Sequence, residues 1–385
     1  MSVIAEHLGV NPKAIQFTGN DTFPDVGAIG IEVELENLGG GRWPNVEGWV
    51  KKEDGSLRDG KEYIFDGPQS GDVALASIKA FAAKMQEVGV DPTFRCSTHI
   101  HLDVRDMNWT QYERLVLLYM VFEDVFFDHC QDYRRQSNFC IPFQSNDWLP
   151  STFGSRILAR ERPEQKFHGC MQWPKYSALN LQVTGNFGSV EFRGSHALTD
   201  ELELTQLAQR MLYLKKFVMG DSSEDHYAFI NKVKDVDLLD VFPVGLKPNY
   251  AMEPGAKDQG LSAAVHALLT SVMTVNQEPI LNFGGEAPAR ANRATTQAIT
   301  TCLRGRVTWN NERLLGYNIV APTDRPTMLR AIQLMVALNK LQGVNVTLRE
   351  LCTPNIEHLA FIRNNLEEFK NMYGYRDTVT LDNLA

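Results

Sequence analysis

Cysteine is scarce and scattered in this chain. Six of 385 residues are cysteine (Cys96, Cys130, Cys140, Cys170, Cys302 and Cys352), and none forms a Cys-x-x-Cys pair. That spacing argues against a disulfide framework or a structural zinc site and fits reduced thiols in a cytoplasm. Long apolar runs are missing too: nothing approaches the ~20 residues of a membrane span. The opening residues, MSVIAEHLGVNPK, lack a basic segment followed by an apolar run, so no signal peptide is expected. Positive charge is in deficit, with 38 Lys and Arg against 47 Asp and Glu, a net charge of −9. A chain so charged is not built for non-specific nucleic-acid binding. Gly39-Gly40-Gly41 is not followed by Gly-Lys-Ser/Thr, which excludes a phosphate loop there. Internal repeats and low-complexity segments are absent. The expectation is a soluble, cytoplasmic protein with no membrane partner, large enough for one big domain or two.

What is present is a pattern of chemistry at every second residue. Three stretches carry it: Ile31-Glu32-Val33-Glu34-Leu35, His99-Ile100-His101-Leu102-Asp103 and Val190-Glu191-Phe192-Arg193. In a strand, residues i and i+2 share a face. The polar faces then hold Glu32 and Glu34; His99, His101 and Asp103; Glu191 and Arg193. The opposite faces hold Ile29, Ile31, Val33 and Leu35; Ile100, Leu102 and Val104; Val190 and Phe192. A sheet with one wet face also alternates in this way. Glu is a poor strand former, however, and this combination is not a typical solvated face. Gathered on one sheet, such carboxylates repel one another unless cations sit among them. The collection suits a divalent-metal and phosphate site.

Around these stretches the pattern predicts a strand over 28–36, a second at Trp49 to Lys52, a turn at Asp54-Gly55, and a return strand near Glu62 to Phe65. A helix is expected over 72–88, the His-x-His strand over 97–104, and a buried helix over 110–130 opened by a capping box at Thr110-Gln111-Tyr112-Glu113. Residues 131–175 read as a long irregular stretch with a dense basic content, the kind that tends to be functional. Strands are expected at 176–184 and 188–194 and a helix at about 199–218. The domain reading is an extension at 1–26, with a short helix and a turn at Asn20-Asp21, then a catalytic sheet domain at 27–220. A mostly helical region at 221–385 follows, packed on it, with helices near 224–234, 258–275, 291–303, 324–341 and 354–372.

The order of motifs resembles the amidoligase family of carboxylate–amine ligases, distant relatives of glutamine synthetase and glutamate–cysteine ligase. The residues that carry the resemblance are Gly30-Ile31-Glu32-Val33-Glu34; Asp54-Gly55-Ser56-Leu57 through Gly60 to Glu62-Tyr63-Ile64; and Ser97-Thr98-His99-Ile100-His101-Leu102-Asp103. They continue with Arg134-Arg135 through Asn138-Phe139-Cys140 to Pro142, and with Lys175-Tyr176-Ser177-Ala178-Leu179-Asn180-Leu181 running to Ser189-Val190-Glu191-Phe192-Arg193. This covers residues 27 to about 200. Two departures stand out: Phe139 where the family often has tyrosine, and Gly194-Ser195-His196 in place of an aromatic-then-Gly-Thr ending.

The resemblance implies an α+β fold, a glutamine-synthetase-like curved antiparallel sheet with helices on its outer face and a helical C-terminal half. It implies Mg²⁺ (or Mn²⁺) and ATP on the concave face, and activation of a carboxylate as an acyl phosphate that an amine attacks. Carried over, Glu32, Glu34, Glu62, His101 and Glu191 are metal ligands. His99, His101, Lys175, Asn180 and Arg193 are candidates for holding the nucleotide. Arg134, Arg135 and Asn138 are candidates for the substrate. Arg193 would steady the transferred phosphate and Glu62 would share a catalytic role; apart from the resemblance, Asp54 and the histidines are the candidates for the base that takes the proton of the amine. The residues alone leave other readings open. His-x-His is also a strand-borne zinc motif, which would suit a hydrolase. A related kinase acting on a guanidino group would use a similar sheet. A non-catalytic binding or assembly protein could keep the fold. The expected partners are a small-molecule or peptide acid and an amine, with nucleic acid expected only as a modified nucleotide. The oligomeric state is left open.

Overall fold

The computed structural model describes residues 2–38, 42–146 and 148–275. Six strands form one antiparallel sheet: β1 (Ile29–Leu35), β2 (Trp49–Lys52), β3 (Lys61–Phe65), β4 (Ser97–Asp103), β5 (Leu179–Asn180) and β6 (Ser189–His196). Their spatial order is β2-β3-β1-β4-β6-β5. The strands that carry the alternating chemistry, β1, β4 and β6, are therefore central neighbours. Register brings Glu32 opposite His99, Glu34 opposite Glu62, and His101 opposite Glu191.

The two faces of the sheet differ as the alternation dictates. On β1, Ile29, Ile31, Val33 and Leu35 are at most 1% exposed, while Gly30, Glu32 and Glu34 between them are half-buried. The apolar face is covered by three long helices, α1 (Gly71–Val88), α2 (Trp109–Phe127) and α3 (Glu201–Met219). On α1, Ala74, Ile78, Phe81, Ala82 and Met85 recur at helical spacing and are buried. Phe81 stacks on Trp49 of β2 and meets Tyr63 of β3 edge-on. Phe192 of β6 lies among Tyr119, Phe126 and Phe127 of α2. Full burial of one such ring is worth roughly 1.5–3 kcal/mol, so this layer fixes which sheet face remains for chemistry. Lys215 of α3 pins the end of β4, donating to the Asp103 carbonyl at 2.8 Å and pairing with Asp106.

Several local expectations shift. The capping box of α2 is built by Asn108 and Gln111, two residues before the expected one. The stretch after α2 is not irregular throughout: it contains helical segments Trp148–Phe153, Gly154–Leu158 (with wider, π-type turns) and Pro163–Met171. The expected strand at 176–184 reduces to the two residues of β5, and a helical turn at Thr184–Phe187 begins where it was to end.

The described residues fall into two compact units. The sheet unit holds 2–146, 162–222 and 236–260. The N-terminal segment belongs to it, with Ile4 and Ala5 buried and bonded through their backbone N–H groups to Met107 and Arg105 carbonyls. The second unit holds 148–161, 223–235 and 261–275. In it, helix His226–Lys234 is capped by Asp225, and Ser151 Oγ lies 2.8 Å from His266 Nε2. The helices expected near 291–303, 324–341 and 354–372, and the glycines 39–41, lie outside the described residues. Among the described residues, no helix is long and apolar enough to cross a membrane.

Candidate functional site

Two groups of side chains on the polar face bring ligand atoms within 4.8 Å of one another: Glu32, His101 and Glu191 in one, Glu34, Asp54 and Glu62 in the other. Both start from β1, two residues apart. The first group draws on β1, β4 and β6. His101 Nε2 lies 3.2 Å from Glu32 Oε1 and 3.9 Å from Glu191 Oε1. It is nevertheless buried without a hydrogen bond, so its lone pair or proton has no aligned partner. His101 Nδ1 is fixed by Ser189 Oγ at 3.1 Å.

His99 does something different. Its Nδ1 lies 3.1 Å from Glu191 Oε1 and 3.3 Å from Glu32 Oε2. Burial works against the charged imidazole, but these two carboxylates outweigh it and raise its pKa to about 9. His99 is thus a buried cation facing the carboxylates. Its Nε2 reaches Ser97 Oγ at 2.9 Å, and Ser97 donates in turn to Glu34. A hydrogen-bonded path therefore links the two carboxylate groups.

Glu191 is the most heavily partnered acid. Asn180 Nδ2 donates to its Oε2 at 2.7 Å and Arg193 Nη1 to its Oε1 at 2.6 Å. Burial pushes its carboxyl up, yet His99, His101 and Arg193 hold it down at about 2. Glu32, likewise opposed by burial, is held well below the usual carboxylate range by the two imidazoles.

The second group has less compensation, chiefly the two Ser97 donors on Glu34. Glu62 is pushed up to about 7, first by burial and then by the charges of Glu32, Asp54 and Glu34. Asp54 stands in the 53–60 connection between β2 and β3, where its carboxylate accepts from Ser56 N at 2.6 Å. The hairpin brings it beside Glu62.

Arg193 owes its position to an irregularity. Between the pairs Ile100–Phe192 and Thr98–Ser195, β6 has one residue more than β4. Such a bulge re-aims side chains and kinks the strand. Gly194 fits it because a Cβ there would come within 2.5 Å of the Phe192 ring and 3.0 Å of Phe127. Arg134, buried, clamps the bulge: its Nε donates to the Gly194 carbonyl at 3.0 Å and its Nη2 to the Arg193 carbonyl at 2.8 Å. Arg193 Nε is buried and without a hydrogen-bond partner.

The other candidates spread out. Arg134 spends its guanidinium on the bulge, and Arg135 pairs with Asp124 of α2 at 2.6 Å. Asn138 is exposed in a turn, between Ser137 and Phe139, which line the cleft described next. Lys175 is exposed at the same cleft, with Nζ 5.7 Å from the Tyr176 ring. Asn180 supports Glu191 and is not in either ligand group. Asp103, although on the polar face, is closed off by Arg105 at 2.6 Å. Cys140 is buried, and burial pushes its thiol up. Ser97 and Ser189, which orient the histidines, gave no sequence signal beyond their place beside the strand motifs.

Two hollows meet the polar face. One, about 280 Å³, is lined by Gly30, Ile64, Gly67, Pro68 and Phe187 and reaches Glu32 and His101. The other, about 540 Å³, reaches Glu34, Asp54, His99 and Arg193. The first group of ligand atoms thus borders a small, mostly apolar hollow, and the second borders a wider, charged one. No model of a known protein family, no curated protein and no solved structure matches this chain.

Proposed function

We propose that this protein is an ATP-dependent carboxylate–amine ligase of the amidoligase type, built on a glutamine-synthetase-like sheet. The observation that carries the reading is the pair of adjacent ligand groups that β1 serves with alternate residues, Glu32/His101/Glu191 and Glu34/Asp54/Glu62, with Arg193 beside them. An all-carboxylate set suits Mg²⁺ or Mn²⁺, and a set with one imidazole tolerates both. The buried Nε2 of His101, close to Glu32 Oε1 but without an aligned hydrogen bond, supports a role as a metal ligand. Divalent ions at these residues would neutralise the triphosphate and the charge that develops on the transferred phosphoryl group.

The chain's own residues supply the rest. The small hollow, with Ile64 and Phe187 in its wall, suits a nucleotide base, leaving the phosphates at Glu32 and His101. The wider cleft suits the acid substrate. A carboxylate is a poor acyl donor because oxide is its leaving group. Transfer of the γ-phosphoryl group to it releases ADP and gives an acyl phosphate. An amine then attacks the carbonyl, phosphate departs and an amide remains. Arg193 keeps a fixed positive charge beside the transferred group throughout. Asn180 and His99 hold Glu191 in place. Asp54, lining the open cleft, is our candidate for taking the proton of the incoming amine.

The donors Glu32, His101 and Glu191 alone also suit a zinc hydrolase. That reading leaves Glu34, Asp54 and Glu62 without a task. One experiment separates the two. With Mg²⁺, ATP, a pool of carboxylic acids and hydroxylamine in place of the amine, the expected products are ADP and hydroxamates. Formation of AMP and pyrophosphate would remove the acyl-phosphate mechanism. Zinc-dependent hydrolysis without nucleotide would replace the ligase by the hydrolase.

A further inference from the structure

We infer that the wider cleft takes a carboxylic acid that also carries an aromatic or bulky apolar group and a second negative charge. The orientation of the reacting carboxyl rests on the ligase reading; the shape and charge of the cleft do not.

The first observation is apolar surface in an otherwise charged place. Phe94, Phe139 and Tyr176, which are 75%, 62% and 45% exposed, all line this one cleft. Phe139 and Tyr176 stand edge to face with centroids 5.5 Å apart, a pairing that leaves ring surface turned outward. Large exposed rings grouped at a concave polar site mark a place where a ligand buries apolar area. The small hollow differs, with Phe187 as its single strongly exposed ring.

The second observation is which cations keep donors to spare. Arg134 is spent on the bulge carbonyls, and Arg95 donates to the Ser56 carbonyl and lies 3.7 Å from Glu36. That leaves Arg193, which pairs through Nη1 with Glu191 but keeps its buried Nε without a hydrogen bond, and Lys175, which is exposed and forms no ion pair among the described residues. Arg193 lies on β6, beside the carboxylate groups, and Lys175 lies next to Tyr176 at the aromatic rim. A ligand with its reacting carboxylate at Arg193, an apolar group against Phe139 and Tyr176, and a second anion at Lys175 satisfies each of these. A small acid such as acetate would leave the rings wet and Lys175 unused.

The test is equilibrium binding of three synthetic acids to the full chain by calorimetry, with Mg²⁺ and a non-hydrolysable ATP analogue present. N-succinylphenylalanine has both features, N-succinylglycine lacks the ring, and N-acetylphenylalanine lacks the second charge. N-succinylphenylalanine is expected to bind about tenfold more tightly than either of the others. Phe139→Ala and Tyr176→Ala should each erase most of the preference over N-succinylglycine, and Lys175→Gln the preference over N-acetylphenylalanine. Both rings are exposed, so these variants keep the fold, which nucleotide binding checks separately. Equal affinity for the three acids, no binding of any of them, or a preference unchanged by Phe139→Ala with Tyr176→Ala would overturn the inference. If the analogue binds and the acids are not distinguished, the inference fails alone. If the analogue does not bind but the preference and its loss in the variants are seen, the cleft stands and the ligase reading falls.

Discussion

Glu32 and Glu34 are two residues apart on one strand, yet they serve opposite electrostatic regimes. Around Glu32, the protein brings its own countercharge: His99 is held protonated to about pH 9 and Arg193 pairs with Glu191. Around Glu34, it brings the donors of Ser97 and two more carboxylates, and burial together with these charges raises the pKa of Glu62 to about 7. The first group is an organised ion cluster that persists without added metal. The second is held together against repulsion and is relieved only by a proton or a cation. A strand's alternation can gather acids, but which neighbours cross from β3, β4 and β6 decides whether they are neutralised internally.

The comparison breaks most visibly at Arg193. Arg193→Lys keeps a charge but loses the planar fork, and turnover should drop on the order of 10²-fold or more, as for other single electrostatic donors. ADP release in the hydroxylamine assay measures it. Near-wild-type turnover by the folded variant would leave Arg193 as a mere partner of Glu191.

The next effect separates the groups by metal. Mn²⁺ at a hundredfold excess over its Kd should stabilise the wild type by about 2.7 kcal/mol, read as a rise in unfolding temperature. Glu34→Gln, with the same shape and one charge fewer, should lose most of that rise. Arg193→Lys should keep it. An undiminished rise in Glu34→Gln would mean that the all-carboxylate group is not where the ion binds.

The smallest effect is on pH and stability without metal. Glu62 has a folded pKa above its usual 4.5, so the folded state binds its proton more tightly than the unfolded state. Its contribution is present below about 4.5 and lost as pH rises to about 7. His99 is also raised, so its contribution is full below 6.5 and lost as pH rises through about 9. Glu191 is depressed, so its contribution is lost as pH falls from 4.5 towards about 2. Glu62→Gln should flatten the lower alkaline-going slope and His99→Gln the upper one in denaturant titrations. If Glu62→Gln leaves the slope between pH 4.5 and 7 untouched, the carboxylates are not repelling one another there.

Much of this site was legible because its period is two. Glu32, Glu34, His99, His101, Glu191 and Arg193 could be assigned to one face from alternation, and β1 shows the same alternation of burial. What lay beyond reading was whatever depends on reach across the fold. Arg134 and Arg135 are neighbours in a basic stretch, but one turns to the β6 bulge and the other to α2. Sequence gives their charge, not their direction. The chain 148–171 is helical although its apolar period is poor, because burial there comes from tertiary packing. Asn108 caps α2 where the sequence pointed to Thr110, a displacement within the range over which helix starts slide.

The extra residue in β6 sets the strand's reading frame. Alternation from Glu191 and Arg193 would put Ser195 on the polar face, but it pairs with Thr98 and is fully buried on the other side. The frame has slipped by one at Gly194, and everything after it, including the run into α3, is placed by that slip. Deleting Gly194 alone would remove the extra residue and restore plain alternation, with Arg193 opposite His99 while Ser195 stays opposite Thr98 and His196 opposite Ser97. A deletion scan along 189–196 should therefore find this glycine the position whose loss disturbs the flanking pairs least, with the effect confined to the direction of Arg193. The surplus residue thus turns Arg193 without disturbing the Ser195 and His196 pairs that follow, so the length of β6 is as much a part of the design as its acids.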